Sequence, residues 1–555
     1  MAEQTQLDHL YAFEKKMGDR LWLTQPLGGG KLKEYTFAEA LDEARRMATH
    51  LKSLDLPSKS QIALFSKNTA WWFLADIAIW MAGHVSVPLY PILTPQTIRQ
   101  ILDHSESKLI FVGKLDGFAD MEPGIPDSLP RIIMPLAPTK MKGDHPHWDD
   151  IVKKTEPSIG SPTRDPDDMA TILYTSGTTG VPKGVMHSFQ TMCASMQIME
   201  LIQATPEDRM LSYLPLAHAF ERTLVETTTF TQGFQVFFAE SLDTFVQDLR
   251  RARPTIFASV PRLWLKFYQG VLQKMPEKRL SLLLKIPFVR GIIGKKVLNG
   301  LGLDHVRLAA TGSAPIPPEL LSWYRSLGLE LLEGYGMSEN FCYSHVNRQG
   351  LTKVGTVGPS NPGVTTKLSE EGEILVKSPC TMLGYFKAPD LTAEVITEDG
   401  FLKTGDRGVV DADGFLKLTG RVKELFKTSK GKYVAPAPIE NKLLTNEALE
   451  LACVQGNGMP QPYAVAVLSE AARKSVETGE GKDEIARALR EHLERINAEL
   501  DQHEQLELIA VTKDPWTIEN GTLTPTLKVK RAVIEDKYAK KAEDWYGKKD
   551  KVVWA

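Results

Sequence analysis

Along the first third of the chain, apolar positions alternate between helical and strand periods. Over 37–54 they recur every three to four residues, which predicts an amphipathic helix. The runs QIALFS at 61–66 and VSVPLYP at 85–91 are short and apolar, as buried strands are. Between them, 71–83 is apolar almost throughout, but it carries Asp76 and falls short of the roughly 20 residues a transmembrane helix requires, so it predicts a buried core helix. The polar, proline-rich SPTRDPDD at 161–168 precedes a further short strand, ATILY at 170–174, which feeds a loop rich in glycine and threonine. A loop leaving the carboxyl end of a strand suits ligand binding.

A β-rich stretch follows over 354–418, with EEGE, EDG and DADG as turn signals between short apolar strands. After Gly420 the pattern changes. AVAVL at 464–468 reads as a strand, Ile485, Leu489, Leu493, Ile496 and Leu500 mark one face of a helix, and LELIAV at 506–511 reads as another strand. The expected fold is α/β: a large N-terminal domain, 1–420, of stacked α/β subdomains plus a β subdomain, a joint at 421–424, and a small α+β domain, 425–555. No internal repeat is evident.

The 555 residues are 42% hydrophobic and 24% charged, close to the average for globular proteins. A net charge of -3 supplies no global basic field, so a nucleic-acid partner is not expected. Cys193, Cys342, Cys380 and Cys453 are far apart and form no CxxC pair, and MAEQTQLDHL at the start is not a secretory leader; both point to a reducing cytoplasm and no zinc site. The stretch 278–303 holds Lys278, Arg279, Lys285, Arg290, Lys295 and Lys296 and no acidic residue, interleaved with LSLLL and IPFV. It suits peripheral contact with an anionic inner-membrane face. It equally suits a helix pair covering the core with a basic outer face.

In the loop after 174, Gly177, Gly180 and Gly184 permit unusual backbone angles, and Thr175, Ser176, Thr178 and Thr179 offer hydroxyls and amides to phosphate oxygens beside the Lys183 cation. A P-loop is excluded, because Pro182 precedes Lys183 and Gly184 follows it. The string YTSGTTGVPKGV, 174–185, resembles the signature of the adenylate-forming superfamily. Further motifs of that family follow in order: SYLPLAHAFER at 212–222, ATGSAPI at 310–316, EGYGMSE at 333–339, FLKTGD at 401–406, LTGRVKELFKTSKGKYVAP at 418–436 and NGTLTPTLKVKR at 520–531. The second and last look most like long-chain fatty acyl-CoA synthetases.

The resemblance implies a two-step ligase using ATP, Mg2+ and CoA, with a fatty acid as the acyl substrate. The loop from Thr175 to Lys183 would hold the pyrophosphate side of ATP, and Glu339 and Thr175 the magnesium. Gly312, Gly334, Tyr335, Gly336, Met337 and Ser338 would surround the adenine; Ser338 stands where many relatives have threonine. Asp406 and Arg421 would hold the ribose. His218 would lie near the reacting carboxylate, and Lys528 would bridge that carboxylate and the α-phosphate. Lys423 falls at the hinge of a mobile C-terminal domain, and Lys430 and Gly431 on the pantetheine path. Taken singly, most of these residues read as turn, core or solvated-surface positions; the ordered motifs give them their roles. Alternatives within the superfamily are a fatty acyl-AMP ligase and another carboxylic acid–CoA ligase, and outside catalysis a nucleotide-binding regulator. The sequence fixes no oligomeric state.

Overall fold

The computed structural model describes residues 4–176, 182–479, 481–524 and 527–555. They divide into two compact units, the first comprising Met1–Ser313, Leu321–Thr366 and Leu375–Lys403, the second Ala314–Leu320, Lys367–Ile374 and Thr404–Ala555. The α/β class predicted from the periodicity is the one found.

The first unit is centred on a seven-stranded sheet. Its order is Gly384–Tyr385, Pro182–Ser188, Met169–Ser176, Val85–Leu89, Gln61–Phe65, Leu109–Val112 and Arg131–Ile133. The strands from Met169–Ser176 to Arg131–Ile133 run parallel; Pro182–Ser188 and Gly384–Tyr385 pair antiparallel. The predicted helices are Phe37–Ser53, capped by Thr36 and Glu39, and Ala70–Met81, every residue of which is buried. Trp80 Nε1 donates to Ala170 O at 3.0 Å, tying the second helix to the strand that enters the phosphate loop.

Asp76, the charge in that apolar helix, faces inward and accepts a hydrogen bond from Arg222 at 2.6 Å. Arg222 is fully buried, lies 5.0 Å from the Trp72 ring and 5.8 Å from that of Trp80, and has Glu226 at 3.4 Å. It opens a π-helical turn, Arg222–Thr227. Burial pushes the carboxyls of Asp76 and Glu226 up, and Arg222 opposes it.

Within the stretch expected to be a β subdomain, the segment Gly384–Tyr385 joins the seven-stranded sheet and Pro389–Val395 is a helix. Proline at the helix start and Thr392 in its middle explain both, since the Thr392 hydroxyl accepts from Tyr385 N–H at 2.9 Å. Two further four-stranded sheets complete this unit; one places Ile256–Ser259, Leu308–Thr311 and Leu331–Tyr335 in parallel, with His345–Val346 antiparallel at its edge.

In the second unit, Leu449–Gln455, Tyr463–Leu468, Ile509–Thr512 and Val552–Trp554 form a sheet. Leu489, Leu493 and Ile496 pack on one side of it, while Ile534, Tyr538 and Trp545 of the helix Arg531–Gly547 pack with the other. The predicted helix ends at Asn497, short of Leu500, and the last predicted strand begins only at Ile509. Asn497 causes both differences: its side chain bonds Leu506 N–H and C=O at 2.9 Å each, closing a turn that Leu506 enters as a loop residue. Burial pushes the thiols of Cys193 and Cys453 up to about 12 and that of Cys380 higher.

Candidate active site

The phosphate motif folds as an antiparallel hairpin whose register sets Thr175 opposite Lys183 and Ser176 opposite Pro182. Directly opposed residues share a face, so the half-buried Thr175 hydroxyl and Lys183 ammonium point to the same side. Gly177, Thr178, Thr179 and Gly180 lie outside the described residues. Gly184 is buried where a Cβ would come within 2.7 Å of Ile172, so the glycine lets the hairpin close.

The strand Leu331–Tyr335 delivers Gly334 and Tyr335, and a single 3-10 turn, Ser338–Asn340, presents Glu339. Met337 N–H donates to Asn340 Oδ1 at 2.9 Å, and the chain leaves through Phe341 and Cys342 at φ 49° and 57°. Two successive side-chain-bearing residues in the left-handed region are costly and need support. Phe341 has it: the residue is fully buried, its carbonyl accepts from Thr223 Oγ1 at 2.9 Å, and its ring packs edge-on to His187 at 5.0 Å. A Cβ on Gly336 would meet the Cys342 backbone at 2.5 Å, so what Gly336 admits in this structure is the returning chain. Gly312 sits where a Cβ would touch Phe220 at 3.0 Å and Gly334 O at 3.3 Å; three motifs distant in sequence meet there. The Tyr335 ring is half-buried, 6.2 Å from His345.

His187 links the hairpin to this turn. Its Nε2–H donates to Ser338 O at 2.7 Å, and Nδ1 faces Thr191 Oγ1 at 3.2 Å. Burial lowers its pKa to about 4, so the ring is neutral at physiological pH. A second link is Tyr385, whose hydroxyl donates to Glu339 Oε1 at 2.8 Å and whose ring lies 5.4 Å from Lys183 Nζ. Lys183, the cation expected beside the phosphates, and Glu339, the carboxylate expected to hold the metal, thus meet at one tyrosine.

His218 caps the short helix Ala219–Glu221, its Nδ1 accepting from Phe220 N–H at 3.1 Å, which leaves the proton of a neutral ring on Nε2. The Tyr90 ring stands edge-on at 6.4 Å. Behind it Glu221 accepts from Ser212 Oγ at 2.8 Å, Tyr213 N–H at 2.9 Å and Asn68 Nδ2 at 3.2 Å, fixing the turn that carries His218. Burial pushes the Glu221 carboxyl up to about 8.

In the second unit, Asp406 and Arg421 are register partners on antiparallel strands, and Arg421 Nε donates to Asp406 Oδ1 at 2.9 Å. Lys423 is exposed within the 3-10 turn Val422–Glu424. Lys430 and Gly431 form the exposed tip of a small hairpin between Phe426–Lys427 and Tyr433–Val434, where Gly431 at φ 76° supplies the left-handed turn. Lys528 is exposed on a second tight hairpin, closed by Lys528 N–H to Thr524 Oγ1 at 3.0 Å and Lys530 N–H to Thr522 O at 2.9 Å. Arg531 roots that hairpin: it bonds Glu440 at 2.7 Å and Val454 O at 2.8 Å, with Glu424 at 3.8 Å.

The sequence profile of the AMP-binding enzyme family matches residues 12–386, and that of the AMP-binding enzyme C-terminal domain matches 424–550. The chain belongs to the AMP-binding enzyme family. This AMP-binding enzyme is 29% identical to the long-chain-fatty-acid–CoA ligase FadD15 of Mycobacterium bovis over 94% of each chain. It is 32% identical to long-chain-fatty-acid–CoA ligase 5 of Rattus norvegicus over 86% of this chain and 79% of that one. In fold it is similar to the adenylation domain of a carboxylate reductase from Mycobacterium chelonae, with a TM-score of 0.82 and 23% identity over 99% of this chain and 92% of that one.

Among the described residues of this AMP-binding enzyme, no group of three or more His, Cys, Asp or Glu could enclose a metal ion. One carboxylate with a nearby hydroxyl fits Mg2+, which keeps its waters and takes its other ligands from nucleotide phosphates. Tyr385, His187, Glu221 and Arg531 are the participants that sequence reasoning did not single out. Arg531 and Glu221 both stood in quoted motifs; the other two have no local signal.

Proposed function

We propose that this AMP-binding enzyme is a long-chain fatty acid–CoA ligase working through an acyl-adenylate. A fatty carboxylate oxygen bonds to the α-phosphorus of ATP and the bond to pyrophosphate breaks. The CoA sulfur then bonds to the acyl carbon, AMP leaves, and the thiol proton passes to solvent. The observation that carries the reading is the convergence of Lys183 and Glu339 on one tyrosine, with Thr175 facing the same side. That is the arrangement needed to neutralise a charged leaving group. The long-chain ligases that align along nearly the whole chain support the acyl class. Glu339 and Thr175 would hold Mg2+, which when bound neutralises phosphate charge. Tyr335 would stack on adenine, Asp406 with Arg421 would hold the ribose, His218 would face the acyl carboxylate, and Lys528 would neutralise carboxylate and α-phosphate. Rotation about 421–424, with Lys423 at its centre, would then bring Lys430 and Gly431 to the CoA path. AMP release should depend on both CoA and acid and rise steeply from acetate to long-chain acids. Acid-dependent pyrophosphate release without CoA thioester would instead identify an acyl-AMP ligase, and a best rate on aromatic acids another acid–CoA ligase.

The source of the acid belongs to the same reading. No helix among the described residues is long and apolar enough to cross a membrane. On the helices Glu277–Leu284 and Pro287–Leu301, Leu280 and Leu298 are buried, and Gly294 packs so closely that a Cβ would lie 2.4 Å from Leu327 O. Leu282, Ile286, Phe288 and Ile292 are 65%, 46%, 91% and 69% exposed among the six cations of 278–303. A cytoplasmic enzyme would lay this face on an anionic bilayer and take fatty acid from it. Vesicles containing phosphatidylglycerol should sediment the enzyme, those of phosphatidylcholine alone should not, and Phe288→Asp with Ile292→Asp should abolish the difference. Equal sedimentation with both lipids would refute the charge argument.

A further inference from the structure

Residues 382–386 reach the site from a part of the sequence outside the motifs quoted above, and backbone bonds fasten them to both of its halves. Leu383 N–H donates to Met186 O at 2.9 Å and Phe386 N–H to Gly184 O at 2.8 Å, which lays Gly384–Tyr385 along the phosphate hairpin. Met382 N–H donates to Glu339 O at 2.8 Å, which fixes the other end to the turn Ser338–Asn340. With Tyr385 N–H also held by Thr392, the segment is secured by its backbone, and the Tyr385 side chain is not needed for that. Tyr385 is 6% exposed, and its side chain spans the gap between hairpin and turn, its hydroxyl on Glu339 Oε1 and its ring by the Lys183 ammonium.

We propose that Tyr385 is the positioning residue of the metal–nucleotide site: its hydroxyl holds one oxygen of Glu339 so that the other meets the cation, and its ring holds Lys183 over the phosphates. This rests on the assignment of Glu339 as the metal ligand. A carboxylate with one oxygen engaged by a fixed donor has a single orientation to offer, and loss of such a supporting bond typically weakens metal binding about tenfold to a hundredfold. An ammonium near an aromatic ring is attracted by the ring face, an interaction worth about two- to fivefold in affinity at a partly exposed site.

The two contacts separate experimentally. Tyr385→Phe keeps the ring and removes the hydroxyl; Tyr385→Leu removes both. Binding of Mn2+ to the ATP complex, followed by loss of the free-ion paramagnetic signal, and binding of ATP in EDTA, followed by calorimetry, measure the two without reference to turnover. Tyr385→Phe should weaken Mn2+ at least about tenfold and leave ATP affinity in EDTA unchanged. Tyr385→Leu should add a loss of about two- to fivefold in EDTA. The proposal fails if Tyr385→Phe keeps Mn2+ affinity within about twofold of the parent's, well below that expected loss. It also fails if both variants lower both affinities equally along with the thermal midpoint, the sign of a merely structural residue. An unaltered enzyme that binds ATP but not Mn2+ would overturn the Glu339 assignment and this proposal with it. Since only binding is measured, the answer does not depend on which acid the enzyme activates.

Discussion

Lys183 and Thr175 show what a register contributes that a motif does not: the loop signature names both, and the hairpin sets them facing one side. Tyr385 is the converse case, since its distance in sequence from Glu339 hides a direct hydrogen bond. A residue's role was legible where the chemistry lies within one motif and illegible where it arises from strand pairing. Lys528 allows a clean separation of steps: Lys528→Ala should lower acid-dependent pyrophosphate exchange at least about a hundredfold, as loss of a transition-state cation does. Thioester formation from supplied acyl-AMP should be spared, and exchange that survives would remove the lysine from its role. Glu339→Gln keeps the shape of the side chain and its bond from Tyr385 but loses the charge. Its effect should appear as a higher metal requirement in a Mg2+ titration, partly recovered at high metal.

At the scale of elements, periodicity located the helices Phe37–Ser53 and Ala70–Met81 and the strands beside them, because burial of one face or of the whole element is written into residue type. It could not show why Asp76 is tolerated in a helix with no exposed residue. The answer lies in the π-helical turn beginning at Arg222, brought beside Asp76 by the fold. Removing one member of a buried pair leaves an unpaired charge and costs about 3–5 kcal/mol. Arg222→Met should therefore lower the denaturation free energy by about that amount. Asp76→Asn, with Glu226 left to pair with Arg222, should cost less. Equal losses in urea titrations would mean that Glu226 does not share the cation. Such a turn behind His218 also ties core stability to the acyl motif, so Arg222→Met should reduce activity on fatty acids even at temperatures where it is folded.

For the whole molecule, the first compact unit holds Thr175, Lys183, Glu339 and Tyr385, and the second holds Asp406, Arg421 and Lys528. Stability of the first unit should depend on pH through His187 and His345, both lowered by burial from 6.5 to about 4. Between those values the unfolded chain binds protons that the folded one refuses, so stability present above pH 6.5 is lost as pH falls toward 4. Each histidine contributes a slope of up to ~1.4 kcal/mol per pH unit. Glu221, raised to about 8, acts oppositely, its folded form holding a proton that the unfolded chain releases above about 4.5. His187→Gln should cost stability at pH 7.5 and lose most of that deficit at pH 5; an unchanged gap in thermal midpoint would show that the ring does not titrate as described. The buried thiols bear on a different matter, self-protection. An acyl-adenylate is an acylating agent, and a thiolate within reach would be acylated in place of CoA. Cys193, Cys380 and Cys453 are kept protonated by burial, so the folded enzyme presents these three as spectators. Cys380 and Cys453, both buried, should resist thiol-directed reagents until the chain unfolds, whereas the half-buried Cys193 and Cys342 should react first.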